Sequence, residues 1–118
     1  MSSTLPAAFV PLADDAALQT AFSAPLALVF KHSTSCSLSA MAYDEVRTYL
    51  ARPDAEPVWL LDLLAHRPIS NAVETRSGVR HESPQLFVLV HGSVAWHASH
   101  RRVTAAAIAD AVAAARAA

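Results

Sequence analysis

The sequence predicts one α/β domain: a central mixed four-stranded sheet with helices on both faces, preceded by a short N-terminal strand and helix. Three observations carry this. The chain has 118 residues, 53% of them hydrophobic and 16% charged, enough for one core and too few for two. Two unalternating apolar runs, Leu26-Ala27-Leu28-Val29-Phe30 and residues 58–64, read as central strands covered on both faces. A segment of helical spacing lies between them, so the two strands run parallel through a crossover helix.

Each element follows in order. Phe9-Val10-Pro11-Leu12 reads as a short edge strand or an extended arm, because Pro11 has no N–H to give an interior ladder. Asp14-Asp15 supply an N-cap and first-turn negative charge to a helix reaching Phe22, where Ser23-Ala24-Pro25 stops it. After the first apolar run, Leu38, Met41, Ala42, Val46, Tyr49 and Leu50 recur on one helical face, with Asp44, Glu45 and Arg47 turned outward. Arg52-Pro53 ends that helix, and Pro57 leads into the second strand. Pro68 suits a first helical position, and residues 69–77 form a short helix that stops at Gly78. Residues 86–90 and 94–97 flank His91-Gly92-Ser93 as a hairpin. Thr104 caps an Ala-rich closing helix with Ile108 and Val112 among its apolar positions. The order β-α-β-α-β-α-β-β-α is that of a thioredoxin-like fold, in a single domain over 1–118.

Composition excludes several function classes. Net charge is −1, and the only paired arginines are Arg101-Arg102, so the basic stripe that a phosphate backbone requires is missing. The opening Met-Ser-Ser-Thr-Leu-Pro has no basic region followed by an apolar core, and no stretch approaches the roughly 20 apolar residues that span a bilayer. The expectation is a cytoplasmic monomer with neither nucleic-acid nor membrane partners. Six histidines and one cysteine raise the question of a metal, but tetrahedral sites leave short Cys/His spacings, and only His97-x-x-His100 comes near one. No metal site is expected. Trp59 and Trp96 fall in strand segments and read as core.

The chemistry centres on Cys36, the single cysteine, at the junction between the first apolar strand and the helix that begins near Leu38. Lone cysteines are commonly buried and inert. A sulfur at a strand-to-helix junction, however, faces unpaired backbone N–H groups and the positive end of the helix dipole, which favour thiolate. Lys31-His32-Ser33-Thr34-Ser35-Cys36-Ser37-Leu38-Ser39 is too polar for a core strand, and it brings a cation, an imidazole and hydroxyl groups near the sulfur. Lys31 and His32 are therefore candidates for tuning the thiolate, each with solvent as its alternative direction. Ser35 and Ser37 are candidates for holding a bound disulfide. With no second cysteine, any bridge from Cys36 is intermolecular, which suits a transient redox role in a reducing compartment. Ser83-Pro84 precedes the third central strand; X-Pro bonds are where cis peptides concentrate, although most are trans, and a cis bond there would offer Ser83 backbone groups to an extended ligand.

Four separated blocks then become recognisable: residues 30–39, Arg67-Pro68-Ile69-Ser70-Asn71, Arg80-His81-Glu82-Ser83-Pro84-Gln85, and Trp96-His97-Ala98-Ser99-His100. Together they resemble the YtxJ-like monothiol bacilliredoxins, bacterial thioredoxin-fold proteins linked to bacillithiol, over nearly the whole chain. The resemblance implies removal of bacillithiol from protein mixed disulfides: Cys36 attacks the bacillithiol sulfur, the substrate thiol leaves, and a second bacillithiol regenerates Cys36. It implies bacillithiol as co-substrate and no tightly bound cofactor, with the low-molecular-weight thiol and bacillithiolated proteins as partners. At a free pKa near 8.5 only about 3% of a thiol is ionised at pH 7; a pKa near 6.5 gives roughly 75%, a shift of about 2.7 kcal/mol. The sequence departs from the family at Ser37, where proline is expected, a change that bears on reduction potential and loop rigidity. Ser39 stands where dithiol enzymes carry a second cysteine, and its hydroxyl is a candidate hydrogen-bond donor to the thiolate. His97 and His100, with Arg101 and Arg102, are candidates to receive the malyl carboxylates of bacillithiol, against the alternative of a solvated loop. Two other readings stand beside this one: a thioredoxin-fold binding or redox-sensing module, and a glutathione-linked monothiol glutaredoxin. Gly78 and Gly92 are the only glycines and do not form the glycine pair that cluster-carrying glutaredoxins use.

Overall fold

The structure is a computed structural model and is described over residues 8–33 and 37–118. Its elements, in chain order, are β1 (Phe9–Pro11), α1 (Asp15–Ser23), β2 (Leu26–His32), α2 (Ser37–Leu50), β3 (Val58–Asp62), α3 (Arg67–Ser77), β4 (Gln85–Val90), β5 (Ser93–Ser99), a 3-10 turn (His100–Arg102) and α4 (Ala105–Ala117). The strands form one sheet in the order β1-β3-β2-β4-β5. β1, β3 and β2 run parallel; β4 is antiparallel to β2 and β5 to β4.

The sheet therefore has five strands among the described residues, not four. Phe9 pairs with Val58 and Pro11 with Leu60. A proline is tolerated there because β1 lies at the edge, where the ring needs no ladder donor.

The two sides of the sheet hold separate apolar cores. Leu28, Phe30, Leu86 and Val88 meet Ala42, Val46 and Tyr49 of α2 and Ile108 and Val112 of α4. Ala27, Val29, Phe87 and Leu89 meet Leu18 and Ala21 of α1 and Ile69 and Val73 of α3. Successive residues of β2 and β4 thus serve opposite cores, as the strand period of two requires, which explains why both strands read as continuous apolar runs.

Local signals set the element ends. Asp14 accepts the Ala17 N–H at 2.8 Å and Thr104 accepts the Ala107 N–H, capping α1 and α4. Pro68 sits in the first turn of α3, and Gly78 closes that helix with φ +72°, its N–H donating to the Glu74 carbonyl. The hairpin loop is His91-Gly92, both at positive φ (+49° and +79°), the pattern of a type I′ turn. Of the two tryptophans, Trp96 packs half-buried against the α2/α4 core and Trp59 against the α1/α3 core.

Two expectations are corrected. Lys31 and His32 belong to β2, and Lys31 is fully buried. The segment is polar, yet Lys31 pairs in register with Leu61 and Gln85 and finds an internal partner. On α2, Met41 is 59% exposed and does not enter the core, whereas Glu45, expected to face outward, accepts the Ala105 N–H at 2.8 Å and ties the start of α4 to α2.

Candidate active site

Cys36 and Ser35 lie outside the described residues. What the structure places is their surroundings in the fold: the end of β2 at His32, the start of α2 at Ser37, and the loop leading into β4.

Ser37 opens α2 and is exposed, while Ser39, two residues on, is fully buried. The Ser39 hydroxyl oxygen accepts the Ser33 N–H at 3.2 Å and so ties the end of β2 to the first turn of α2. His32 faces α2, its ring 5.1 Å from Tyr43 and 5.6 Å from Phe30. Its Nδ1 is buried with no hydrogen-bond partner among the described residues. Burial pushes the His32 imidazole below its usual range, and the Asp62 charge and the Ser39 backbone oppose this only in part. His32 is thus neutral at pH 7.

Lys31 points to the other side of the sheet, since neighbours on a strand face opposite ways. Its Nζ lies 3.1 Å from His81 Nδ1 and 5.8 Å from the centre of the Phe87 ring. Burial lowers its pKa from 10.5 to about 8, opposed by the Glu74 charge. Lys31 and His32 therefore lie on different faces at the end of β2, the first cationic at neutral pH and the second uncharged.

The Ser83-Pro84 peptide bond is cis. Pro84 is buried, and the Ser83 hydroxyl is buried without a partner among the described residues. The Pro84 carbonyl accepts the His100 N–H at 2.9 Å, so this loop is joined to the 3-10 turn. His100 adopts a positive φ of +55°, and its Nε2 lies 3.5 Å from Glu82 Oε1. On its other side His100 lines a groove of about 270 Å³. Leu38, Met41, Ala42 and Val103 give the groove its apolar wall, and Glu45, His100, Arg101 and Thr104 its polar rim.

Of the proposed binding residues, then, the structure brings His100, Ser83 and Pro84 together beside the start of α2. It does not bring His97 to them: that side chain is exposed on β5, its ring 6.2 Å from Phe87 on the α1/α3 face. Arg101, named with His100 as a candidate, does line the groove. Sequence reasoning missed two contributors: Met41 shapes the groove, and His81 engages Lys31. His81 stood inside a recognised block, but nothing in its spacing pointed to a lysine fifty residues earlier. Among the described residues, no helix is long and apolar enough to cross a membrane.

Comparison with known proteins agrees with this architecture. The profile of the family described as monothiol bacilliredoxin BrxC matches residues 11–108. Among solved structures, a provisionally assigned oxidoreductase with a thioredoxin fold is similar at TM-score 0.80 and 28% identity, covering 88% of this chain and 93% of its own. A thioredoxin from Trypanosoma brucei brucei is similar at TM-score 0.76 and 10% identity (97% and 95% covered). A mutant thioredoxin from Halobacterium salinarum NRC-1 is similar at TM-score 0.73 and 19% identity (92% and 91%). At these last two identities the likeness is one of fold.

Proposed function

The chain belongs to the monothiol bacilliredoxin family, and on that premise we propose that it is a thiol-disulfide oxidoreductase that removes bacillithiol from protein mixed disulfides through the Cys36 thiolate. Family and fold support the class of thiol oxidoreductase. The observation that carries the finer reading is the meeting of three parts at one rim: the first turns of α2, the Ser83-Pro84 pair, and His100, which bonds to Pro84 and lines the groove with Leu38 and Met41.

The reaction is two exchanges. The Cys36 thiolate attacks the bacillithiol sulfur of a mixed disulfide; the sulfur–sulfur bond breaks, the client thiolate leaves and takes a proton from water, and Cys36 becomes disulfide-linked to bacillithiol. A second bacillithiol thiolate attacks that bond, giving oxidised bacillithiol and the free Cys36 thiolate. Each step breaks one disulfide and forms one, so electrons balance without another oxidant.

The residues divide the work. Helix N–H groups at the start of α2 favour the thiolate. Lys31 contributes positive charge from the buried face, while His32, held neutral, adds none from the α2 face. Backbone groups of Ser83 receive the client segment. His100 and Arg101, on the groove rim, receive the carboxylates of bacillithiol, and the Leu38–Met41 wall covers its apolar part. Such chemistry belongs in the reducing cytoplasm.

The test is intact mass spectrometry after incubation with oxidised bacillithiol, followed by release of a bacillithiolated client protein. One bacillithiol adduct on the wild type and none on Cys36→Ser is the expected result. Arg101→Ala should raise KM for the bacillithiol substrate with little change in kcat. A Cys36 that forms no adduct and alkylates no faster than free cysteine would favour a binding or sensing module instead.

A further inference from the structure

Lys31 is a fully buried cation, and neither the groove nor the exchange steps require it to be buried. Among the described residues it forms no ion pair. Its hydrogen-bond partner is His81, from the loop between α3 and β4.

That loop is fastened at three points. The His81 N–H donates to Glu74 Oε2 of α3 at 2.8 Å. Gln85, 1% exposed at the start of β4, bridges its base: Nε2 donates to the Arg80 carbonyl at 3.1 Å, and Oε1 accepts the Glu82 N–H at 3.2 Å. The third point is the His81 ring, which reaches under the sheet to Lys31 Nζ. Immediately after these residues the loop presents Ser83-Pro84.

An ammonium group has donors only, so its bond to His81 needs the Nδ1 lone pair, which a neutral imidazole with its proton on Nε2 supplies. Protonating His81 removes that acceptor and sets two cations against each other in a buried place. We propose that Lys31 and His81 form a proton-sensitive tether that positions the Ser83-Pro84 loop for substrate, fastened while His81 is neutral and released when His81 is protonated. The positioning half rests on the reading of that loop as the client's resting place.

The groups facing His81 set the direction. Burial is the largest influence and disfavours the imidazolium; Lys31 of β2 and Arg67 of α3 act the same way, while Glu74 of α3 and Glu82 of the loop act against it. The balance lies below the usual imidazole range, so the tether holds at neutral pH and lets go on acidification. Above about 8, Lys31 surrenders its proton, but its amine still donates, and the alkaline side stays fastened.

Two measurements test this on the full chain. The first needs no substrate: nitrogen-15 NMR of the His81 ring with amide hydrogen exchange of residues 80–83. The wild type should show the Nε2–H tautomer, a midpoint below the usual range and faster loop exchange once His81 is charged; Lys31→Met should raise that midpoint by about half a unit or more. The second compares, against pH, alkylation of Cys36 by iodoacetamide with its exchange on bacillithiol disulfide. Alkylation reads the thiolate alone, so exchange should fall about threefold further on the acid side, with a midpoint matching that of His81. His81→Gln, which keeps an acceptor and cannot titrate, should lose this extra limb. A His81 midpoint indifferent to Lys31→Met overturns the tether. A tether seen by NMR with superimposable exchange and alkylation profiles overturns its positioning role. No exchange at any pH, with the NMR result as expected, overturns the oxidoreductase reading and leaves the tether standing.

Discussion

Replacing Lys31 by methionine is expected to alter the alkaline stability profile more than the fold. Methionine keeps an unbranched stem of similar length and removes the charge. In the folded protein burial lowers the Lys31 pKa from 10.5 to about 8, with the Glu74 charge opposing. A lowered ammonium pKa means that the folded state releases its proton before the unfolded chain does. Stability from this group therefore rises as pH climbs through about 8 and levels off above 10.5. At pH 9.5 the folded amine is about 97% neutral and the unfolded one about nine-tenths charged, which amounts to about 2 kcal/mol gained relative to pH 7. The upper pH stays below 10 because burial raises the Tyr49 pKa, and ionising that phenol at higher pH would pull stability the other way. Urea denaturation at pH 7 and 9.5, followed by Trp59 and Trp96 fluorescence, measures both proteins. The wild type should gain about 2 kcal/mol over Lys31→Met across that interval. Parallel profiles would refute the reasoning, since Lys31 would then carry no burial cost to lose.

Three further outcomes are expected. Gly92→Ala should lower the melting temperature by about 8 °C, because the added Cβ would meet the Phe22 carbonyl oxygen at 2.5 Å at φ +79°, a cost of about 2 kcal/mol; calorimetry checks it. Thr104→Ala, which removes the acceptor for the Ala107 N–H, should cost about 1 kcal/mol in denaturant, with Thr104→Ser restoring most of it. Gln85→Leu should cost about 2 kcal/mol and speed amide exchange at residues 80–83, because the Arg80 carbonyl and Glu82 N–H lose their buried partner.

The parts of the fold that were legible are those governed by neighbours in sequence. The apolar run at β2, the helical spacing of α2, Thr104 before α4, Pro68 and Gly78 around α3, and His91-Gly92 in the hairpin each carry a local physical signal, and the element order follows from them. What escaped depends on tertiary partners. Lys31 looks too polar for a central strand until His81 arrives from the loop before β4, fifty residues along the chain. Met41 fits an inward helical face by spacing alone, yet the 3-10 turn stands beside it and leaves a groove in place of a core contact. His97 and His100 look like one loop, but the first still belongs to β5 and the second has left it, so a three-residue spacing becomes two separate faces.

The two rims of the sheet are unlike. One is β1, three residues long and ending in Pro11; the other is β5, seven residues without a proline. A short strand bearing an imino acid is a poor template for another chain, while a longer rim with free amides is a good one. Among the described residues, then, strand-by-strand growth between molecules has one receptive side. Edge pairing through β5 would join two copies back to back, since among the described residues neither copy would keep a second receptive side from which a fibre could continue.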